Sequence, residues 1–262
     1  MPENTTKAIL VVSFGTSFPD TRKRTIEAIE KDIADAYPGY RVYRAWTSKM
    51  IMKKLLRTEN LKIYSVREAM EAMIKDGITE VVVQPTHVIN GIENDLMKKD
   101  ALAYADSFSE IRFGAPLLTS EQDNDEVIRA VAGEYASLPE GSAVVLMGHG
   151  TTHYANAIYA ALDYRFKDKG YKNIFLGTVE AYPSLDSLLR QVEEQNPRSV
   201  VLAPFMIVAG DHATNDMAGD NPDSWRNKFE EAGFTVSCVM KGLGEYPAIR
   251  RILLRHVAEA EK

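Results

Sequence analysis

Two histidines stand where side chains could do chemistry. His149 lies between two glycines in GHG, immediately after the apolar run AVVLM, and His212 lies in the loop GDHATNDMAGD, immediately after SVVLAPFMIVA. A small turn is satisfied by Gly or Asn, and an ordinary surface loop needs only turn formers and polar groups, so neither position calls for an imidazole on structural grounds. Glu180 follows the apolar stretch NIFLGTV, and Glu93 follows VVVQPTHVING. Two imidazoles and two carboxylates at the ends of apolar runs can bind a divalent metal transiently and accept protons near neutrality. Glu180 also reads as a helix-start carboxylate serving a helix dipole. His87, within QPTHVIN, reads as a core or supporting histidine, His153 as a cap for the helix after GHGTT, and His256, in ILLRHVAEA, as structural.

The elements that must position these groups alternate along the chain. KAILVVSF, YRVYRAW, EVVVQP, IRFGAPL, AVVLMG, NIFLGTV, SVVLAPFMI and FTVSCVM read as buried strands. Between them lie helical patterns such as TRKRTIEAIEKDIADAY and SVREAMEAMIKDG, with apolar residues recurring at three and four, so AMEAMI reads as a core stripe. This order predicts an α/β fold of parallel sheets with helices on both faces. It also repeats. LVVSFGTSF aligns with VLMGHGTTH, GYRVYRAWTS with GYKNIFLGTVE, and VVVQPTHVINGIEND with VVLAPFMIVAGDHATND. We therefore expect two similar α/β lobes, over 1–122 and 123–262, with a cleft between them. The join falls in the helical stretch from Asp123 to Ser137, and the terminal helix over 245–262 is a candidate to pack on the first lobe.

Ligands of open parallel sheets sit beyond the carboxyl ends of the strands, and there the repeat has diverged. His149 pairs with Phe14, Glu180 with Ser48, and His212 with Glu93. The glycine-led turns Gly15–Thr16–Ser17 and Gly150–Thr151–Thr152 read as helix starts whose backbone N–H groups could meet an anion, with Lys49 a further candidate.

Composition narrows the partners. A chain of 262 residues, 45% hydrophobic and 26% charged, can bury a substantial core. Its formal net charge of −6 argues against nucleic acid, whose phosphates need a basic face. The opening MPENTTKAILVVSFG has no signal-peptide pattern and no run approaches a membrane span, so a cytoplasmic protein that does not engage membranes is expected. The one cysteine, Cys238 in FTVSCVM, excludes an intrachain disulfide and reads as core filling. Walker, dinucleotide-binding, nucleophile-elbow and H-E-x-x-H motifs are all absent from the sequence.

SFGTS, TSKMI, THVING, GHGTTH, VEAYPS, PFMIVAGDHATNDMAGD and GLGEYPAIR together resemble the anaerobic sirohydrochlorin cobaltochelatases of the CbiK type, class II chelatases related to ferrochelatase. The resemblance runs nearly end to end. It implies two α/β lobes and a lyase that inserts Co2+ into sirohydrochlorin without a nucleotide, early in the oxygen-independent route to cobalamin. Sirohydrochlorin and Co2+, itself a substrate, are the implied partners, and a homo-oligomer is compatible with the sequence. The family's two histidines match His149 and His212, the glutamate of VE-x-YP matches Glu180, and the acidic residue after ING matches Glu93. His149 is then the ligand or base nearest the pyrrole nitrogens, while His212 and Glu180 pass the metal or take up protons. Phe14, Gly15, Thr16, Ser17, Gly150 and Thr151 are the expected macrocycle contacts. An iron or nickel chelatase acting on the same tetrapyrrole, or a carrier without turnover, would use the same residues.

Overall fold

The computed structural model describes residues 6–262; the first five residues of the opening MPENTTKAILVVSFG lie outside the described residues. The described chain divides into two compact units, residues 6–119 with 249–262, and residues 120–248. In the first, β1 (Lys7–Ser13), β2 (Arg41–Trp46), β3 (Glu80–Pro85) and β4 (Glu110–Phe113) form a parallel sheet in the order β2-β1-β3-β4. In the second, β5 (Ser142–Gly148), β6 (Ile174–Thr178), β7 (Ser199–Pro204) and β8 (Thr235–Cys238) form a parallel sheet in the order β6-β5-β7-β8. The two sheets thus share one topology, as the internal repeat requires. All eight expected strands are present.

Why the apolar runs are continuous is visible in β1. Ala8, Leu10 and Val12 pack with Met70, Met73 and Met97, so the AMEAMI methionines are indeed a core stripe. Ile9 and Val11 point the opposite way in a pleated strand, yet are equally buried. A strand covered on both faces has no place for alternating polar residues. In β5 the same holds: Val145 and Met147 join Leu188, Leu202, Trp225 and Phe229, while Val144 and Leu146 are buried on the other side.

The first unit's helices are α1 (Pro19–Arg24), α2 (Ile26–Ala36), α3 (Lys49–Glu59), α4 (Val66–Lys75) and α5 (Ile92–Leu102). The second unit has α6 (Glu121–Glu134), α7 (Ala157–Asp168), α8 (Leu185–Gln195) and α9 (Trp225–Glu231), and α10 (Pro247–Ala260) carries the chain back into the first. Within the first unit, Arg250 pairs with Asp32 at 2.6 Å and His256 Nδ1 meets the Ala115 carbonyl at 2.9 Å, so His256 has a structural role. Starts are set by side chains: Ser65 with Glu68, and Ser120 with Asp123, form capping boxes on α4 and α6. The single helical pattern expected over TRKRTIEAIEKDIADAY is two helices. At Thr25 the backbone leaves helical values (φ −115°, ψ −82°) while its N–H keeps the bond to the Thr21 carbonyl at 3.0 Å, which the hydroxyl shares at 2.6 Å, the back-bonding by which threonine bends a helix.

Two strands are shorter than their apolar runs. β7 stops at Pro204, although Phe205 N–H still donates to the Met147 carbonyl of β5. β4 stops before Gly114, which sits against the Gln84 side chain so closely that a Cβ would lie 1.8 Å from its Oε1. No helix among the described residues is long and apolar enough to cross a membrane.

Candidate metal centre

The second unit brings His149, Glu180 and His212 together at the carboxyl ends of β5, β6 and β7. One potential ligand atom of each lies within 4.8 Å of the others. His149 leaves β5 between Gly148 and Gly150. A Cβ on Gly148 would strike the Tyr159 ring at 2.6 Å; Gly150 has φ +88° and lies against Ala181, where a Cβ would meet the backbone nitrogen at 2.9 Å. Both glycines are thus demanded by close approach, and Gly150 also by its left-handed backbone. Tyr159 is the floor of the turn. It is nearly fully buried, and burial pushes its phenol far above the ordinary range despite a bond to the Gly150 backbone. It stays protonated.

Glu180 is placed by the backbone. Val179 N–H donates to the Gly148 carbonyl at 3.0 Å and Glu180 N–H to the His149 carbonyl at 2.9 Å, so the β6 exit is laced to the β5 exit. Its carboxylate lies 3.7 Å from His149 Nδ1. The helix-start reading of Glu180 does not hold, because α8 begins at Leu185 with Ser184 as its cap. His212 opens a five-residue π-turn, Ala213–Met217, closed by Ala218 N–H on the Ala213 carbonyl at 3.1 Å. Such wide turns are frequent at functional sites. Gly219 allows this one to close, since a Cβ there would lie 2.2 Å from the Asn215 carbonyl.

Second partners fix the imidazoles. The Gly150 carbonyl, 2.7 Å from His149 Nδ1, can only accept, so that nitrogen donates and the lone pair of the neutral ring is on Nε2. Asp216 Oδ2, 2.6 Å from His212 Nδ1, acts the same way on the other ring. Carbonyl and carboxylate partners of this kind commonly fix the tautomer and orientation of metal-binding histidines. The two rings meet edge to face, with centroids 4.7 Å apart and planes at 87°. All three side chains are partly exposed, between 32% and 53%, so an aquo ion can reach them. Asp216 is a partner that the sequence analysis does not single out. The signal was available in its spacing, four residues after a histidine in a helical turn.

The other expected site residues belong to the first unit or to the turns. Glu93 is the second residue of α5 and half-exposed; Phe14 is 42% exposed. Gly15 has φ +107° and rests on the Trp46 ring, Thr16 is buried with its hydroxyl accepting from Phe18 N–H at 3.2 Å, and Ser17 accepts from Lys54 at 3.1 Å. Lys49 is exposed at the start of α3. The expectation that these turns are helix starts is corrected. α1 begins only at Pro19, and GHGTT leads into a three-residue 3-10 turn before α7. Thr151 N–H is already spent on Asn156 Oδ1 at 3.0 Å, so it is not an anion donor. His153 Nδ1 accepts from Ala155 N–H at 3.1 Å, capping the short turn. His87 is 9% exposed, with both ring nitrogens buried and without a hydrogen-bond partner, and burial lowers its pKa from 6.5 to about 4. Cys238 lies half-buried at the β8 edge, packed against the second unit's core.

A parallel α/β unit with two oriented imidazoles and a carboxylate at its strand ends has a donor set that suits a divalent metal. Known proteins agree. The chain belongs to the cobalt chelatase (CbiK) family, whose family model matches residues 7–262. It is 38% identical over 254 residues to a sirohydrochlorin cobaltochelatase of Salmonella typhimurium, covering 97% of this chain and 96% of that protein. It is 34% identical to the sirohydrochlorin cobaltochelatase CbiKC of Nitratidesulfovibrio vulgaris, covering 98% and 91%. Among solved structures the fold resembles that of SirB from Bacillus subtilis with Fe3+, with a TM-score of 0.67 at 15% identity, covering 97% of this chain and 95% of that one.

Proposed function

We propose that this chain inserts Co2+ into sirohydrochlorin, without a nucleotide, using His149, Glu180 and His212. The observation that carries the proposal is that cluster, whose ligand atoms lie within 4.8 Å of one another. The names of the two curated relatives support the substrate pair. Insertion exchanges two pyrrole N–H bonds for bonds to cobalt and releases two protons, while the ion gives up water. Neutral imidazoles with Nδ1 held by acceptors offer Nε2 lone pairs to replace that water. Glu180, whose carboxylate lies 3.7 Å from His149 Nδ1, is the proposed acceptor of a pyrrole proton. Imidazole and carboxylate suit iron and nickel as well, and by the divalent affinity order the donors alone would bind nickel more tightly than cobalt. Cobalt selection then rests on geometry and supply.

Glu93 is proposed as a further carboxylate for the metal, on its register with His212. Phe14, Gly15, Thr16, Ser17, Gly150 and Thr151 are proposed contacts of the macrocycle, with Gly15–Ser17 the backbone N–H candidates for its carboxylates. The test is spectral conversion of sirohydrochlorin on adding Co2+. Many turnovers per chain are expected; conversion that stops at one equivalent would make the protein a carrier instead.

A further inference from the structure

Asn156 stands at the N-terminus of α7, where asparagine ordinarily turns its side chain inward to cap the first turn. Here it makes no such bond. Its Oδ1 accepts from Thr151 N–H at 3.0 Å, and its Nδ2 donates to the Tyr182 carbonyl at 2.7 Å. The first partner is in the loop that carries His149, the second in the loop that carries Glu180. One partner can only donate and the other only accept, so the amide has a single orientation that serves both.

The tether has support on both sides. Thr151 Oγ1 accepts from His153 N–H at 3.1 Å, and Asn156 N–H donates to the His153 carbonyl at 3.0 Å, which stiffens the segment between His149 and Asn156. On the other side Ala181 packs against Gly150 with no room for a Cβ. Backbone bonds from Glu180 to His149 fix the near end of the two loops, and the Asn156 amide fixes the far end. Thr16 and Thr151 hold the same place in the repeat, each hydroxyl accepting from the N–H two residues on. In that register Thr21 occupies the position of Asn156, and it carries no amide.

We infer that Asn156 is a positioning residue for the metal site, holding the loops of His149 and Glu180 at the separation at which both can bind one ion. This rests on reading the cluster as a cobalt site. The test is Co2+ binding to the purified full-length chain, followed by ligand-field absorption, in the wild type, Asn156→Leu and Asn156→Asp. Loss of an outer-shell partner typically costs 10- to 100-fold in metal affinity. We expect about that loss in Asn156→Leu, with an unchanged melting temperature in metal-free protein. Asn156→Asp, which keeps the acceptor for Thr151 and loses the donor to Tyr182, should fall between, and carries the test if the leucine variant does not fold. Placed in a His149→Ala, Glu180→Ala background, Asn156→Leu should weaken cobalt binding no further, since its effect runs through those residues. Wild-type affinity in Asn156→Leu, or an undiminished loss in that background, would overturn the inference alone. A wild type that binds no Co2+ would instead remove the cobalt reading beneath it.

Discussion

The two units make the same strand-end geometry with different side chains. Thr47 and Ser48 donate to the Ser13 and Phe14 carbonyls at 3.0 and 3.2 Å; Val179 and Glu180 donate to Gly148 and His149 at 3.0 and 2.9 Å. Gly15 and Gly150 both take positive φ one residue later. Asp95 N–H bonds to Gly91 and Thr214 N–H to Gly210, which sets Glu93 and His212 at the same place in their turns. The backbone is thus a shared scaffold, and the proposed metal chemistry rests on three differences: Phe14 against His149, Ser48 against Glu180, Glu93 against His212. Among the described residues, only the second unit assembles two imidazoles and a carboxylate. Its partners for them, the Gly150 carbonyl and Asp216, come with the turn.

The largest test of this asymmetry is His149→Ala. Metal insertion should fall about 10²- to 10⁴-fold, as expected when a positioned base or ligand is removed, with the melting temperature unchanged. Phe14→Ala, at the matching place, should alter sirohydrochlorin affinity and leave the dependence on Co2+ concentration alone. Steady-state kinetics varying each substrate in turn would separate the two, and a shared phenotype would break the comparison.

The units differ next at His87, whose register partner is Met206, each offering its carbonyl to the connection after β4 or β8. A thioether tolerates burial; an imidazole without a partner resists protonation there. The folded pKa of about 4 is below the unfolded 6.5. Below pH 6.5 the unfolded chain therefore binds the extra proton, and stability is lost as the pH falls through 4. The loss is roughly 3 kcal/mol for that gap. His87→Met should remove this part of the acid dependence in denaturant titrations between pH 4 and 7; an unchanged pH slope would contradict it.

Legibility in the sequence followed the same division. Both sheets, their eight strands and the methionine stripe were readable because buried parallel strands are continuous apolar runs and the repeat doubles the signal. The placement of His149, Glu180 and His212 beyond strand ends was readable because each follows an apolar run, and neither the GHG turn nor the GDH loop has a structural need for an imidazole. Asn156 was not, since an asparagine before a helix signals a cap and nothing in the string says that its amide turns elsewhere. Nor was the bend at Thr25, where a hydroxyl shares the carbonyl that its own N–H bonds, or the loss of the Thr151 N–H to a side chain five residues on.

Smaller effects refine the second unit. Asp216→Ala removes the carboxylate that fixes His212, and should raise the Co2+ concentration needed for half-maximal rate by about tenfold or more without altering sirohydrochlorin binding. Glu93→Gln should give the smallest change, a modest slowing with unaltered thermal stability, because it removes charge and keeps shape. Wild-type rates for Glu93→Gln across pH 6 to 8 would confine the metal chemistry to the second unit.

The most direct measurement is an anomalous scattering map from crystals of the wild-type chain grown with Co2+. The account predicts one cobalt peak bonded by His149, Glu180 and His212 at about 2.0–2.2 Å, the range of metal bonds to imidazole nitrogen and carboxylate oxygen. A fully occupied cobalt bound elsewhere, with these three side chains making no bond to it, would contradict it.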